Sequence, residues 1–506
     1  MEKIKKLRNL LSKYNLDGYI IPKNDEFFGE YIPENKDNLK YISGFTGSYG
    51  FALILKNKNF LFVDGRYTLQ AKIQCGKIFE IKTIPQELPK NILKNKKLHI
   101  GFDPKLHTSI MLSNFFDKNV FNLVSLSSNL IDQIWTKRRK VKSNKFFVLE
   151  NSSVGQTSKS KISKLVKELN KNKANLQLIS SCENVAWLLN IRGTDSLFTP
   201  ITNAFLIVDS KKNIFLFCDL NKIDKKIKNK LKLKKIIDIK HIKAFLLGIK
   251  NKTIQLDKNT CSIFFKEMLK KNNQILEIQD PIYLWKSIKN KTEIKNTIKS
   301  HIFDGAALTK FIFWIKDNFI KKKITEISAQ EKLLAMRKTN KSFRNLSFPT
   351  ISGSGPNGAI IHYKANKKSN RTLKKGDLYL VDSGGQYDFG TTDVTRTISL
   401  NNQNSRIKNI YTRVLKGHIA VANYDIKKNT CGSEIDIEAR KPLKKINLDY
   451  AHGTGHGVGF FLNVHEGPQS ISRSNKTVLK PGMILSNEPG YHEKGKFGLR
   501  IENLIF

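Results

Sequence analysis

Leu378-Tyr379-Leu380-Val381-Asp382-Ser383-Gly384-Gly385, followed by Thr391-Thr392-Asp393-Val394-Thr395-Arg396-Thr397-Ile398, reads as a β-strand and its antiparallel return. A turn centred on Tyr387-Asp388 sets Asp382 directly opposite Asp393. Opposed positions in such a pair hold their Cβ atoms roughly 4.5–5.5 Å apart, and like charges there repel. A proton or a cation between the two carboxylates removes the conflict.

Further groups of the same chemistry follow downstream. Six of the ten histidines fall between residues 362 and 492. In His452-Gly453-Thr454-Gly455-His456-Gly457-Val458-Gly459 the glycines argue against a helix, and an extended backbone puts His452 and His456 on one face. The missing side chains let another group approach that backbone closely. His465 follows in Asn463-Val464-His465-Glu466-Gly467-Pro468, and Glu488 ends a strand before Pro489-Gly490. Gly498-Leu499-Arg500-Ile501-Glu502-Asn503 reads as one strand that turns Arg500 and Glu502 to the same side. Two Asp, one His and two Glu make a hard, oxygen-rich donor set suited to two divalent ions such as Mn²⁺, Co²⁺, Fe²⁺ or Zn²⁺. Ions roughly 3.5–4 Å apart share a hydroxide and polarise a carbonyl. The remaining histidines suit proton transfer near neutral pH or contact with a substrate.

Ahead of this region the chain divides into two α/β segments. Residues 1–143 open with an amphipathic helix, then give a strand at Asp17–Pro22 and short apolar strands within Phe45–Leu55 and Phe60–Tyr67. The basic stretch Thr136–Lys142 reads as a linker. Residues 144–287 repeat the texture, with a helix over Ser158–Leu169 and strands at Ala204–Val208 and Ile214–Cys218, and hint at a duplicated fold. Residues 288–506 begin with a long helix from Lys289 to about Asp317, whose apolar positions include Ile294, Ile298, Ile302, Ala306, Leu308 and Phe311. Thr325 is the expected N-cap of a second helix.

Bulk properties bound the function. With 506 residues and 40% hydrophobic residues, several cores are affordable and disorder is not expected. No apolar run of about 18 residues predicts a membrane span, and the N-terminus lacks the apolar core of an export signal. Five dispersed cysteines fit reduced thiols in a cytoplasm. The net charge of +46 is the unusual number. Lysines are spread through every region, including the amphipathic helix read over Lys222–Lys235, rather than gathered in one stripe. That diffuse pattern fits compositional drift better than a nucleic-acid footprint, so no specific nucleic acid is expected, although salt-dependent affinity for phosphate is retained.

The series Ile361-His362-Tyr363, Val381-Asp382-Ser383-Gly384, Thr392-Asp393-Val394-Thr395-Arg396, His452-Gly453-Thr454-Gly455-His456-Gly457, Asn487-Glu488-Pro489-Gly490 and Arg500-Ile501-Glu502-Asn503 resembles the pita-bread metallopeptidases of family M24. Gly44-Phe45-Thr46-Gly47-Ser48, Asp64-Gly65-Arg66-Tyr67, Trp187 with Asn190-Ile191-Arg192-Gly193, and Ser347-Phe348 extend the likeness to the long, three-domain aminopeptidase P (Xaa-Pro aminopeptidase) type. The resemblance implies an α/β and α+β architecture: two related creatinase-like N-terminal domains (1–143 and 144–287), then a catalytic pita-bread domain (288–506). It implies hydrolysis of the bond between a first residue and proline, with two divalent ions, Mn²⁺ before Zn²⁺ or Co²⁺, in a cytoplasmic homodimer acting on proline-containing peptides. Asp382 would bind one ion, His456 and Glu488 the other, and Asp393 and Glu502 both. His362 and His465 would contact substrate or move protons, His452 would line the proline site, and Glu488 would take a proton from the attacking water. Prolidase and a non-catalytic pita-bread binding protein are the alternatives, the second disfavoured because all five ligating positions are filled. Two departures stand out. The chain stops four residues after Glu502, where family members continue, so a truncated catalytic domain is expected. His492 stands where relatives carry Tyr and is read, with His301 and His418, as an ordinary surface or core residue.

Overall fold

The computed structural model describes residues 1–93, 97–139, 144–233 and 235–506. The end of the expected linker, Lys140 to Lys142, and the boundary residue Ser143 lie outside the described residues. The chain forms two compact units: Met1–Leu149 with Gln156–Leu197 and Ile201–Ile282, and Glu150–Gly155 with Phe198–Pro200 and Tyr283–Phe506. Among the described residues no helix is long and apolar enough to cross a membrane.

The first unit holds two six-stranded sheets. The first comprises β1 (Gly18–Pro22), β2 (Phe51–Leu55), β3 (Asn59–Asp64), β4 (Glu80–Ile84), β5 (Leu98–Phe102) and β6 (Phe121–Ser125), in the order β4-β3-β2-β1-β5-β6. β1 and β2, at its centre, carry no charged or amide side chain because both faces are covered. Tyr19, Ile21, Ala52, Ile54, Leu61 and Val63 pack with Leu7 and Leu11 of α1 (Glu2–Lys13). The alternate residues Ile20, Phe51, Leu53, Phe60 and Phe62 build the opposite core. The second sheet comprises β7 (Leu176–Ile179), β8 (Ala204–Asp209), β9 (Ile214–Cys218), β10 (Lys235–Asp238), β11 (Thr253–Leu256) and β12 (Gln274–Glu277), in the order β10-β9-β8-β7-β11-β12. Strand for strand it repeats the first sheet's order and its pattern of parallel and antiparallel pairs. The hinted duplication is therefore real at the level of topology.

The helix expected over Lys222–Lys235 is shorter. It spans only Lys225–Leu231, started by Asp224, whose side chain accepts from Ile227 N, and ended by Lys232 in a left-handed conformation. Lys222 is buried in an ion pair with Asp195 (2.7 Å), and Lys235 opens β10.

In the second unit, α2 (Lys291–Asn318) starts at a capping box made by Asn290 and Glu293. Thr325 caps α3 (Glu326–Lys338), as expected. The inward face of α2 differs from the reading of its apolar positions. Ile298 and Ile302 are 45% and 65% exposed, whereas Thr297, Ser300 and Asp304 are buried. The reason is the neighbouring chain. Gly390 at the tip of the aspartate hairpin presses so closely that a Cβ there would lie 2.4 Å from Ser300 Oγ, leaving room only for small side chains.

That hairpin consists of β15 (Leu378–Ser383) with its extension β16 (Gly385–Tyr387), and the return strands β17 (Gly390–Thr391) and β18 (Val394–Ser399); β13 (Phe343–Leu346) flanks β16 and β14 (Ile351–Ser354) flanks β15. The observed register places Asp382 opposite Thr395, not Asp393. The turn centres on Asp388-Phe389, where Asp388 N donates to Ser342 O and Arg344 pairs with Asp388. Moving the turn by one residue shifts the pairing by two, so the two aspartates are diagonal neighbours. Beyond it, β19 (Gly455–Gly457), β20 (Glu466–Ile471), β21 (Leu485–Asn487) and β24 (Asn503–Ile505) form a sheet ordered β20-β19-β21-β24, while β22 (Gly490–Glu493) and β23 (Phe497–Arg500) form a two-stranded ribbon. Residues 498–503 are thus not one strand. The chain leaves the ribbon after Arg500 and joins the sheet at Asn503, with Glu502 between them.

Behind the hairpin, Arg337 donates bidentately to Asp304 (2.6 and 2.9 Å), and the same carboxylate accepts from Tyr387 Oη at 2.7 Å. Arg337 also donates to Ser383 Oγ at 3.0 Å, tying two helices to the residue after Asp382. Removing one partner of a buried pair strands the other charge. Arg337→Met is expected to cost about 3–5 kcal/mol in urea unfolding of the chain, and Asp304→Leu/Arg337→Met to recover most of it. A single-variant loss below about 1 kcal/mol would contradict this account.

Candidate functional site

Strands β15, β18, β19 and β21 bring the sequence-identified residues toward one place. Asp382 is the fifth residue of β15, and Asp393 immediately precedes β18. Glu488 follows β21 and Glu502 precedes β24. Asp393 and Glu502 are 3% and 1% exposed. The glycines of the histidine motif have a steric purpose. A Cβ on Gly455 would lie 1.8 Å from Ser486 O, and one on Gly457 2.5 Å from Glu466 O, so only bare backbone lets β19 lie between its neighbours. The close approach that the motif implied is therefore made by adjacent strands.

One ligand atom each from Asp393, His456 and Glu502 lies within 4.8 Å of the other two. His456 Nδ1 donates to Gly457 O at 3.0 Å, which turns Nε2 toward Asp393 and Glu488, at 3.4 Å from each. Those separations exceed an ordinary N–H···O bond. Thr395 Oγ1 donates to Glu502 Oε2 at 2.6 Å, and Ser486 Oγ donates to Glu488 Oε1 at 3.0 Å while accepting from His456 N at 2.9 Å. Arg500 donates from Nη2 to Asp382 at 2.6 Å and from Nε to Thr395 Oγ1 at 3.2 Å.

The electrostatics identify what this cluster needs. Burial pushes Asp382 up to about 7, with Asp393 and Glu488 adding to the rise and Arg500 opposing it. Burial likewise raises Glu488 against the pull of His456 and Arg500. Glu502 lies well above its ordinary value through burial and then the charges of Asp393, Glu488 and Asp382. Burial pulls His456 down, but Asp393 and Glu488 outweigh it and raise it to about 9. Asp382 Oδ1 is buried with no hydrogen-bond partner among the described residues. Carboxylates that resist ionising, an imidazole that attracts positive charge and an unpartnered oxygen together fit cations held between them. The donor set of four carboxylates and one imidazole suits two divalent ions, one of which the Asp393–His456–Glu502 group could hold.

The other expected residues are placed as follows. The His465 ring meets the His456 ring edge-on, with centroids 4.4 Å apart. His452 does not share a strand with His456. It precedes β19, packs on Tyr450 and His492, and donates from Nδ1 to Gly453 O. His362 occupies a turn after the 3₁₀ segment Gly355–Ala359, beside Tyr363, whose hydroxyl donates to Glu326 at 2.8 Å. Supports that sequence reasoning missed are Thr395, Ser486 and His418, whose Nδ1 donates to Asn487 O at 3.0 Å beside Glu488. Thr395 was detectable only as the residue two after Asp393 on the same side of an extended strand.

Comparison with known proteins matches the model of metallopeptidase family M24 over residues 295–506 and that of the creatinase/prolidase N-terminal domain twice, over 3–134 and 137–293. A probable Xaa-Pro aminopeptidase P of Laccaria bicolor is 38% identical over all of this chain and 81% of its own length. Among solved structures, an X-prolyl aminopeptidase of Caenorhabditis elegans, described as a cytosolic enzyme with a di-nuclear active site, superposes with a TM-score of 0.94 at 31% identity over 99% of this chain and 86% of that one. A prolidase of Pyrococcus furiosus superposes with a TM-score of 0.57 at 27% identity, over 67% of this chain and 96% of that one.

Without ions the raised groups bind protons more tightly when folded than when unfolded. The stability of the chelator-treated chain should therefore fall as pH rises, from the unfolded Asp value of 3.8 through about 7 for Asp382, and on through about 9 for His456. The thermal midpoint in chelator is expected to be lower at pH 8 than at pH 5.5, with a smaller drop for Asp382→Asn. Equal drops for the two proteins would rule out Asp382 as a source of the effect.

Proposed function

This chain belongs to metallopeptidase family M24, and we propose that it removes the first residue from peptides whose second residue is proline, using two divalent ions held by Asp382, Asp393, His456, Glu488 and Glu502. The observation that carries the reading is the buried convergence of carboxylates around His456, with every ligating position filled. A purely binding protein would not need such a costly cluster of buried like charges. The likeness to an X-prolyl aminopeptidase spans 99% of the chain, against 67% for a prolidase, which favours peptide substrates over dipeptides. The same reading carries the domain division 1–143, 144–287 and 288–506, Mn²⁺ as the resident ion before Zn²⁺ or Co²⁺, a homodimeric assembly and a cytoplasmic location.

Ions bound at these residues supply Lewis acidity, which makes water a nucleophile at neutral pH and polarises the scissile carbonyl. The protein's own groups do the rest. Glu488, already raised by burial, suits the acceptance of a proton from the attacking water and its return to the leaving nitrogen. His465, beside His456, and His362 are assigned to hydrogen bonds that strengthen as negative charge grows on the carbonyl oxygen. His452 forms part of the wall for the proline ring. Proline has a fixed φ and no amide hydrogen, so recognition must rest on shape rather than on a donated N–H. Arg500 neutralises Asp382 through one oxygen and leaves the other, buried and unpartnered among the described residues, available to an ion.

The purified chain loaded with Mn²⁺ should release arginine from an Arg-Pro-Pro peptide, lose that activity on chelation and regain it when Mn²⁺ returns. Intact metal loading without release of the first residue would reject the assignment, and faster cleavage of Arg-Pro than of Arg-Pro-Pro would favour prolidase. Asp393→Asn should abolish turnover and lower metal content together. His465→Gln should lower kcat about 10²–10³-fold with metal retained. Unchanged kcat in His465→Gln would remove that residue from the mechanism.

A further inference from the structure

His492 reads in the sequence as an ordinary packing residue, but its surroundings are polar and specific. In the ribbon, Gly490 stands opposite Arg500 and His492 opposite Gly498, which puts all four on one face. The two glycines leave that face open to rings. A Cβ on Gly498 would lie 2.9 Å from His492 Nδ1, and one on Gly490 would lie 3.1 Å from His452 Nε2 and 3.4 Å from His492 Nε2. The two Nε2 atoms therefore flank the same point above Gly490. The rings themselves meet edge-on, with centroids 5.4 Å apart and planes at 78°.

The hydrogen bonds fix both tautomers. His452 Nδ1 is 2.8 Å from Gly453 O, and His492 Nδ1 is 3.1 Å from Gly358 O. A carbonyl only accepts, so each Nδ1 carries its ring's proton. Burial, reinforced by the neighbouring Arg500 charge, holds His492 down at about 3 and His452 well below its ordinary value, so both rings are neutral. Each Nε2 is then a bare lone pair. Among the described residues neither Nε2 has a partner, nor does Arg500 Nη1, and all three atoms are buried. The other Arg500 nitrogens are engaged with Asp382 and Thr395.

Two buried acceptors and one buried donor set narrow terms for what satisfies them. A cation is repelled by Arg500, and an anion would bring its lone pairs against those of both imidazoles. A molecule with two O–H donors and an acceptor lone pair meets all three, and buried waters typically have two to four such partners. We propose that His452, His492 and Arg500 hold one buried water molecule, which donates to both Nε2 atoms and accepts from Arg500 Nη1, making His492 a positioning residue for His452. Held this way, the His452 lone pair is committed to the water, and the ring offers its C–H edge rather than a proton-transfer group to its other neighbours. The water also links that ring, through Arg500, to Asp382.

A crystal structure of the metal-loaded wild type at about 1.7 Å is expected to show a single ordered water within hydrogen-bond reach of the three nitrogens. Absence of that water, or a side chain filling its place, would overturn the proposal. The kinetic consequence rests on the peptidase reading, whereas the water site does not. A chain with the water but without turnover would therefore sink the reading of function and leave the site intact. With Arg-Pro-Pro as substrate, His492→Phe is expected to raise KM about tenfold with kcat and metal content nearly unchanged. His492→Gln, whose Oε1 can accept where Nε2 does, should restore most of the KM. Equal KM values for the two variants, or a loss confined to thermal stability, would remove the positioning role.

Discussion

Four carboxylates, those of the buried Asp382, Asp393 and Glu502 and of the half-buried Glu488, are gathered near one imidazole, and their mutual repulsion is the constraint the catalytic unit is built to contain. Burying like charges is unfavourable unless positive charge joins them. His456 and Arg500 supply part of it, Arg500 by a direct bond to Asp382. Hydroxyls supply more, since Thr395 and Ser486 each donate to a carboxylate. What these groups leave unbalanced is what divalent ions supply.

The scaffold answers the same need for rigidity. Asp382 and Asp393 sit in a hairpin whose rear is locked by the Asp304–Arg337 pair and Tyr387, and whose tip presses onto a helix that offers only small side chains there. His456 is held between two strands so close that glycine must flank it on both sides. The water site inferred at His452 and His492 extends this pattern one step outward. There too a polar group is fixed by satisfying every buried atom around it, and Arg500 is the residue common to both networks.

The first compact unit follows from a different principle. Its two sheets repeat one topology, and in both the central strands are buried on both faces, the second sheet accommodating the polar pair Gln177 and Gln255 there by a hydrogen bond between them. The repeat was visible in the texture of the sequence but not in residue identity, since topology needs the alternation of burial and not particular side chains.

By itself the sequence determined the chemistry and its order along the chain. The five residue types proposed as metal ligands, the glycines around His456, the cap at Thr325 and the duplicated α/β texture are local signals, carried by spacing and residue type. Tertiary structure alone decided the details that depend on distant partners. Ser342 and Arg344 hold the turn one residue further on, so Asp382 faces Thr395. Gly390 turns Ser300 inward and leaves Ile302 exposed. The chain changes sheets between Arg500 and Asn503, and His492 meets His452 across a glycine ribbon. In each case contacts between residues far apart in the chain outweighed periodicity, because a side chain's face is set by what packs against it and that neighbour is absent from the local sequence.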